Sequence, residues 1–113
     1  MKITIGANVF TATPADNKTA AAFLAKLPLT LDMAELNGNE KYGDLSEPLL
    51  TNASNPGTIQ TGDLMLYGSR TLVLFYKTFS TSYNYTRIGR IDDPSGLAAA
   101  LGAGDATVKF ESE

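Results

Sequence analysis

Two dense apolar runs, Leu64 to Tyr67 and Leu72 to Tyr76, flank the turn Gly68-Ser69-Arg70-Thr71, and they constrain the fold of this chain more than any other feature. Each run is too short for a buried helix and lacks the polar alternation of a half-exposed strand, so the segment reads as a central hairpin buried on both faces. Such a hairpin needs a layer on either side, and the rest of the chain supplies short segments of period two. Ile3 and Ile5 alternate with Lys2 and Thr4, and Gly6-Ala7-Asn8 turns the chain into Val9-Phe10-Thr11. After Pro28, Leu29, Leu31 and Met33 share one face and Thr30, Asp32 and Ala34 the other. Asn37-Gly38 then offers a reversal, since both residues tolerate positive φ, and the segment through Glu40 and Tyr42 folds back beside it. Ala106, Val108 and Phe110 alternate with Thr107, Lys109 and Glu111 in a terminal strand.

Two helices are expected. Thr13 as N-cap, Pro14 at the first helical position, and Ala20, Phe23, Leu24 and Leu27 at helical spacing predict the first, with Pro28 stopping it. Asp93 as cap, Pro94 behind it, the pair Leu97 and Leu101, and Gly102 past the end predict a second helix of about two turns. In Thr86-Arg87-Ile88-Gly89-Arg90-Ile91 the two apolar positions Ile88 and Ile91 fall on opposite faces of a regular strand, so Gly89 marks a bulge or a close backbone approach. Asp44 to Thr61, with Pro48, Pro56 and Gly57, is a long ordered loop. Many short strands and two modest helices favour a small closed β-barrel, which also removes exposed sheet edges. With 113 residues, one domain spanning 1–113 is expected.

Absences narrow the chemistry. The chain has no Cys and no His, which closes thiolate nucleophiles, Ser-His-Asp triads, imidazole bases and the common zinc sites. No metal and no cofactor is expected. With a net charge of −3 and scattered Lys and Arg, no basic stripe is available for a phosphate backbone, so nucleic acid is not an expected partner. No apolar run approaches the roughly 18 residues of a membrane span, and the N-terminal Met1-Lys2-Ile3-Thr4-Ile5-Gly6 lacks a signal-peptide h-region. As written, the chain points to the cytoplasm; an export segment upstream would place it in a bacterial cell envelope.

From Leu72 onward the chain resembles the cyclophilins: a buried strand ending in Lys77-Thr78, an irregular loop, Ile88-Gly89-Arg90-Ile91, then Ser95-Gly96-Leu97. Upstream, Pro56-Gly57-Thr58-Ile59-Gln60-Thr61-Gly62-Asp63 is similar to the cyclophilin Pro-Gly, Gln and Gly-Asp run, one residue shorter. Closer still, Glu35-Leu36-Asn37-Gly38-Asn39-Glu40-Lys41-Tyr42 and Gly62-Asp63-Leu64-Met65-Leu66-Tyr67 resemble the small bacterial cyclophilin-like domains, a group mostly without an established activity, some members of which are parts of exported lipoproteins. The resemblance implies a cyclophilin-like β-barrel. It does not carry the isomerase site with it: there is no Phe-His-Arg strand and no Trp or His, and Tyr85 and Ser80 stand at the positions aligned with the late pocket His and the Trp.

Candidate site residues follow from the aromatic and charged positions. Arg87 lies beside Tyr83 and Tyr85 in the chain, and an Arg among aromatics can bind a carboxylate, a carbonyl or a stacked ring, against the plainer reading of a surface Arg whose stem covers an apolar neighbour. Tyr67, Phe75, Tyr76, Phe79, Tyr83 and Tyr85 either line a cleft or pack across strands. Glu40, near Tyr42, is either a pocket carboxylate, with Glu35 or Asp44 as its partner in acid–base work, or a solvated loop acid. The first functional expectation is a non-enzymatic module binding a peptide or small ligand between the long loop and the Ser80 to Arg87 segment. A divergent prolyl isomerase using Arg87 or Arg70 with Tyr85 and Phe75 is the second, and a structural domain of a larger or cell-surface protein the third. Isomerisation needs only a site favouring the twisted amide, but that site needs a guanidinium in an apolar pocket, whereas a binding module needs the pocket alone. Oligomeric state is not legible.

Overall fold

A computed structural model describes all 113 residues. In chain order the elements are β1 (Lys2–Ile5), β2 (Asn8–Pro14), α1 (Lys18–Leu24), β3 (Leu29–Leu36), β4 (Glu40–Asp44), β5 (Thr58–Ile59), β6 (Asp63–Tyr67), β7 (Thr71–Phe75), β8 (Phe79–Ser80), β9 (Thr86–Ile91), α2 (Leu97–Leu101) and β10 (Ala106–Glu111). Eight strands close into a barrel in the order β1-β10-β3-β4-β7-β6-β9-β2, all antiparallel, while β5 and β8 form a separate two-stranded ribbon. The mainly β, closed-barrel expectation with two helices is met. No helix is long and apolar enough to cross a membrane.

The central hairpin is β6–β7, and it is buried on both faces for a specific reason. Its inward residues Leu64, Leu66, Leu72 and Leu74 join Ile3, Met33, Val108 and Phe110 in the barrel core. Its outward residues Met65, Val73 and Phe75 form a second cluster with Ile59 and Tyr85, roofed by Phe79. The β5–β8 ribbon thus covers one patch of the barrel's outer wall, and the rest of that wall stays open beside it. Asn37 and Gly38 both take positive φ, 58° and 67°, so the β3–β4 turn is the tight kind that matches strand twist and fixes Leu36 opposite Glu40.

The long loop is shorter than the expected Asp44 to Thr61, because Asp44 ends β4 and Thr58–Ile59 pair with Phe79–Ser80 as β5; the remaining residues 45–57 are ordered because they are anchored. Leu45 and Leu49 insert into the main core. The Arg70 guanidinium donates to the carbonyls of Leu45 (3.2 Å) and Ser46 (2.8 Å), and Ser54 exchanges backbone hydrogen bonds with Tyr85.

Gly89 proves to be both a bulge and a close approach. The β6–β9 register slips between Leu64↔Gly89 and Met65↔Arg87, leaving Ile88 as the extra residue, and this lets Ile88 and Ile91 both enter the core. A Cβ on Gly89 would lie 2.8 Å from the Thr13 carbonyl oxygen.

Both helix starts differ from expectation. Thr13 and Pro14 belong to β2, paired with Arg90 and Gly89, and α1 is capped by Asn17, whose Oδ1 accepts from the Ala20 N–H at 2.7 Å. Pro14, having no N–H, suits the last position of a strand as well as the first of a helix, and Asn17 satisfies two elements at once by donating to the Arg87 carbonyl through Nδ2 at 2.8 Å. In the second helix Gly96 holds the cap position at φ 80°, while the Asp93 carboxylate accepts from the Ser95 N–H in a turn one step earlier. Leu97 and Leu101 do form the buried pair.

Candidate functional site

On the open part of the outer wall lies a groove of about 560 Å³. Its floor is the outward face of β7 and β4, carrying Val73, Thr71, Glu40 and Tyr42. One rim is the β3–β4 turn, with Leu36, Asn37 and Asn39, and not the long loop expected there, which is pinned to the core by Leu45 and Leu49; the other is Phe79 to Tyr83 with Tyr85, and Tyr67 closes the β6 end. Six large apolar side chains remain exposed on the molecule, and four of them, Leu36, Tyr42, Tyr67 and Tyr83, line this groove.

The aromatic wall is built in two tiers. Phe75, fully buried, supports Tyr85 edge-on with ring centroids 5.5 Å apart, and Tyr85 in turn meets Tyr67 at 5.7 Å. Tyr67 then packs against the outermost ring, Tyr83, at 6.2 Å and 89°. Such tilted and edge-on contacts fix ring orientation because they align the positive edge of one ring with the negative face of the next. Burial pushes the Tyr85 hydroxyl pKa up, and the nearby Glu40 charge adds to it.

Glu40 is the only ionisable group of the groove other than tyrosines, and it is 8% exposed. Its side chain forms no hydrogen bond or ion pair within the chain, and no fully enclosed side-chain oxygen or nitrogen lacks a partner, so its carboxylate is reached from the groove. Burial raises its pKa above the usual glutamate value, with the Glu35 charge contributing further.

Glu35 itself is committed elsewhere. On the opposite, inward face of the same hairpin it accepts from the Lys41 ammonium (3.0 Å), the Tyr76 hydroxyl (2.6 Å) and the Gly38 N–H (2.7 Å). Lys41, fully buried, also donates to the carbonyls of Gly102 (2.7 Å) and Gly104. The Tyr76 hydrogen bond is the largest influence on Glu35 and holds its pKa below normal; burial, then the Glu35 bond, push Tyr76 up to about 12. Asp44 shares the outward face of β4 with Glu40 but stands four residues along, roughly 13 Å at strand rise, and accepts from Thr71. Neither acid pairs with Glu40 across a reacting atom.

Of the residues singled out in the sequence, the structure gathers Glu40, Tyr42, Tyr67, Phe79, Tyr83 and Tyr85 around one cavity and sets Phe75 beneath it. Arg87 is not in the lining: it is exposed on β9, where Asn17 docks on its carbonyl. Arg70 is occupied with the loop carbonyls. Leu36, a rim residue not among the expected ones, signals itself in the sequence by falling out of the Leu29-Leu31-Met33 alternation. Lys41 is likewise not among the expected residues, and its place opposite Glu35 follows once the Asn37-Gly38 turn fixes the register. No three Asp or Glu side chains converge as a metal site would require.

A family model described as the cyclophilin-like family matches residues 3–111, nearly the whole chain, and the chain belongs to that family. No curated protein and no solved structure matches it.

Proposed function

We propose that this member of the cyclophilin-like family is a non-enzymatic binding module that takes a small ligand or a peptide segment in the outer-wall groove. The observation that carries the reading is the concentration of exposed aromatic surface in a concave site whose only ionised group is unpartnered. Monomeric domains seldom leave large rings exposed together without a binding use, and ligand sites are typically concave, apolar and equipped with a few polar groups. The absence of any Arg or Lys from the lining favours binding over prolyl isomerisation, which would need a guanidinium against the amide.

The test is amide-shift mapping of the labelled protein against short X-Pro peptides and an apolar fragment set, with exchange spectra recorded on the same peptides. Saturable shifts confined to residues 36–42, 67–73 and 79–85, without cis-trans exchange peaks, are expected. Exchange peaks that vanish in Arg87→Ala or Arg70→Ala would replace the reading with an isomerase. Tyr83→Ala should weaken a groove ligand by tenfold or more, as loss of an aromatic anchor does, while leaving unfolding free energy within about 0.5 kcal/mol because the ring is 62% exposed.

A further inference from the structure

Resting on the reading just given, the identity of the ligand's charged group can be argued from the groove itself. Every other charged side chain near Glu40 is spent: Glu35 on Lys41 and Tyr76, and Lys41 on Glu35 and two carbonyls on the inward side. Glu40 therefore presents one uncompensated negative charge at the base of a cavity, without a single donor from the protein to satisfy it. An anionic ligand would meet that charge, and a wholly apolar one would seal it off from water with no partner, a costly arrangement for a carboxylate. A cation is the ligand that both groups of the site welcome. Its charge faces Glu40, and its methyl or methylene groups lie against Tyr42, Tyr67 and Tyr83, whose ring faces are electron-rich. The chain's net charge of −3 attracts such a ligand at long range as well.

We infer that the groove is specific for an alkylammonium group, with Glu40 as counter-ion and the tyrosines as an aromatic wall. The group can arrive as a small free amine or as a lysine side chain of a peptide, and the experiment separates the two. Choline is titrated against 3,3-dimethyl-1-butanol, its uncharged analogue of the same shape, and N-acetyl-lysine methylamide against N-acetyl-norleucine methylamide, with binding read by groove amide shifts and calorimetry. The expected result is that one cation binds at least about tenfold more tightly than its neutral partner, a difference of about 1.4 kcal/mol. That preference should disappear in Glu40→Gln, and binding of both members should fall in Tyr83→Ala. A retained amide spectrum in each variant rules out misfolding as the cause.

Choline preferred over its analogue assigns the site to small amines; the lysine derivative preferred assigns it to peptides. Equal binding of charged and neutral partners, or a preference that survives Glu40→Gln, overturns the inference and leaves the binding module standing. Silence from all four probes also overturns it, and the peptide and fragment titrations then decide whether the groove binds anything.

Discussion

Glu40 and Lys41 are neighbours in sequence and opposites in fate. Strand alternation sends the lysine inward, where its ammonium has three oxygen partners, and the glutamate outward, where it has none. Removing the lysine should be severe: Lys41→Met keeps much of the stem volume but strips an ion pair from Glu35 and a donor from the Gly102 and Gly104 carbonyls. A loss of about 3 kcal/mol in urea unfolding is expected. Glu40→Gln should do the reverse. A carboxylate whose folded pKa is raised costs stability once it ionises, so the variant should be more stable than the natural chain at pH 7, and the gap should close as the pH falls below about 4.5, the ordinary glutamate value. Comparing urea midpoints at pH 7 and pH 4 checks this; a variant less stable than the parent at pH 7 would show that Glu40 has a stabilising partner. Glu35 works with the opposite sign. Its lowered pKa supplies stability above about 4.5 that is lost as the pH drops through the folded value. Tyr76 is its alkaline counterpart, supplying no penalty below pH 10 and destabilising only as the pH climbs toward about 12.

Among the elements, β9 shows how a single missing side chain sets a register. The bulge at Ile88 turns two core residues inward, and beside it β2 passes so near that only a residue without a side chain fits at position 89. In Gly89→Ala the new methyl would meet backbone, which cannot swing aside, so a loss of about 2 kcal/mol or more is expected, read as a lowered urea midpoint. That much was legible in the sequence, since a glycine between two isoleucines of mismatched parity leaves few alternatives. The start of α1 was not. Thr13-Pro14 and Asn17 are both good caps in isolation, and the choice between them depends on Arg90 and Arg87, partners some 70 residues away that local pattern cannot see. The 45–57 loop was recognisable as a loop from its prolines, but its rigidity comes from Leu45 and Leu49 reaching the core. Amide exchange should therefore be slow at Leu45, Leu49 and Ser54, whose N–H groups are bonded, and fast at Ala53 and Asn55 on either side of Ser54.

For the molecule as a whole, closure depends on β10, which pairs with β1 on one side and β3 on the other. Truncation before Ala106 would open the barrel and uncover the core, so the shortened chain should lose its far-ultraviolet strand signal and its dispersed amide spectrum together rather than stepwise. The barrel class could be read in the sequence because period-two segments and turn residues are local signals. The groove could not, although most of its aromatics could be named, because Tyr42, Tyr67 and Tyr83 meet only through β4–β7–β6 pairing and the return of the loop after β8. Arg87 illustrates the limit: adjacency to two tyrosines along the chain did not bring it to their cavity.

The two-sided burial of the β6–β7 hairpin bears on where the groove could be altered without unfolding the domain. Val73 and Tyr85 line the groove and, with Phe75 beneath it, belong to the outer cluster, so exchanging them to alter the proposed binding would loosen the scaffold. The turn Asn37 to Asn39 and the stretch Ser80 to Tyr83 touch the same cavity from segments that bear little of the packing. A library confined to those few positions, with the hairpin left alone, is where new selectivity can be sought without forfeiting foldability.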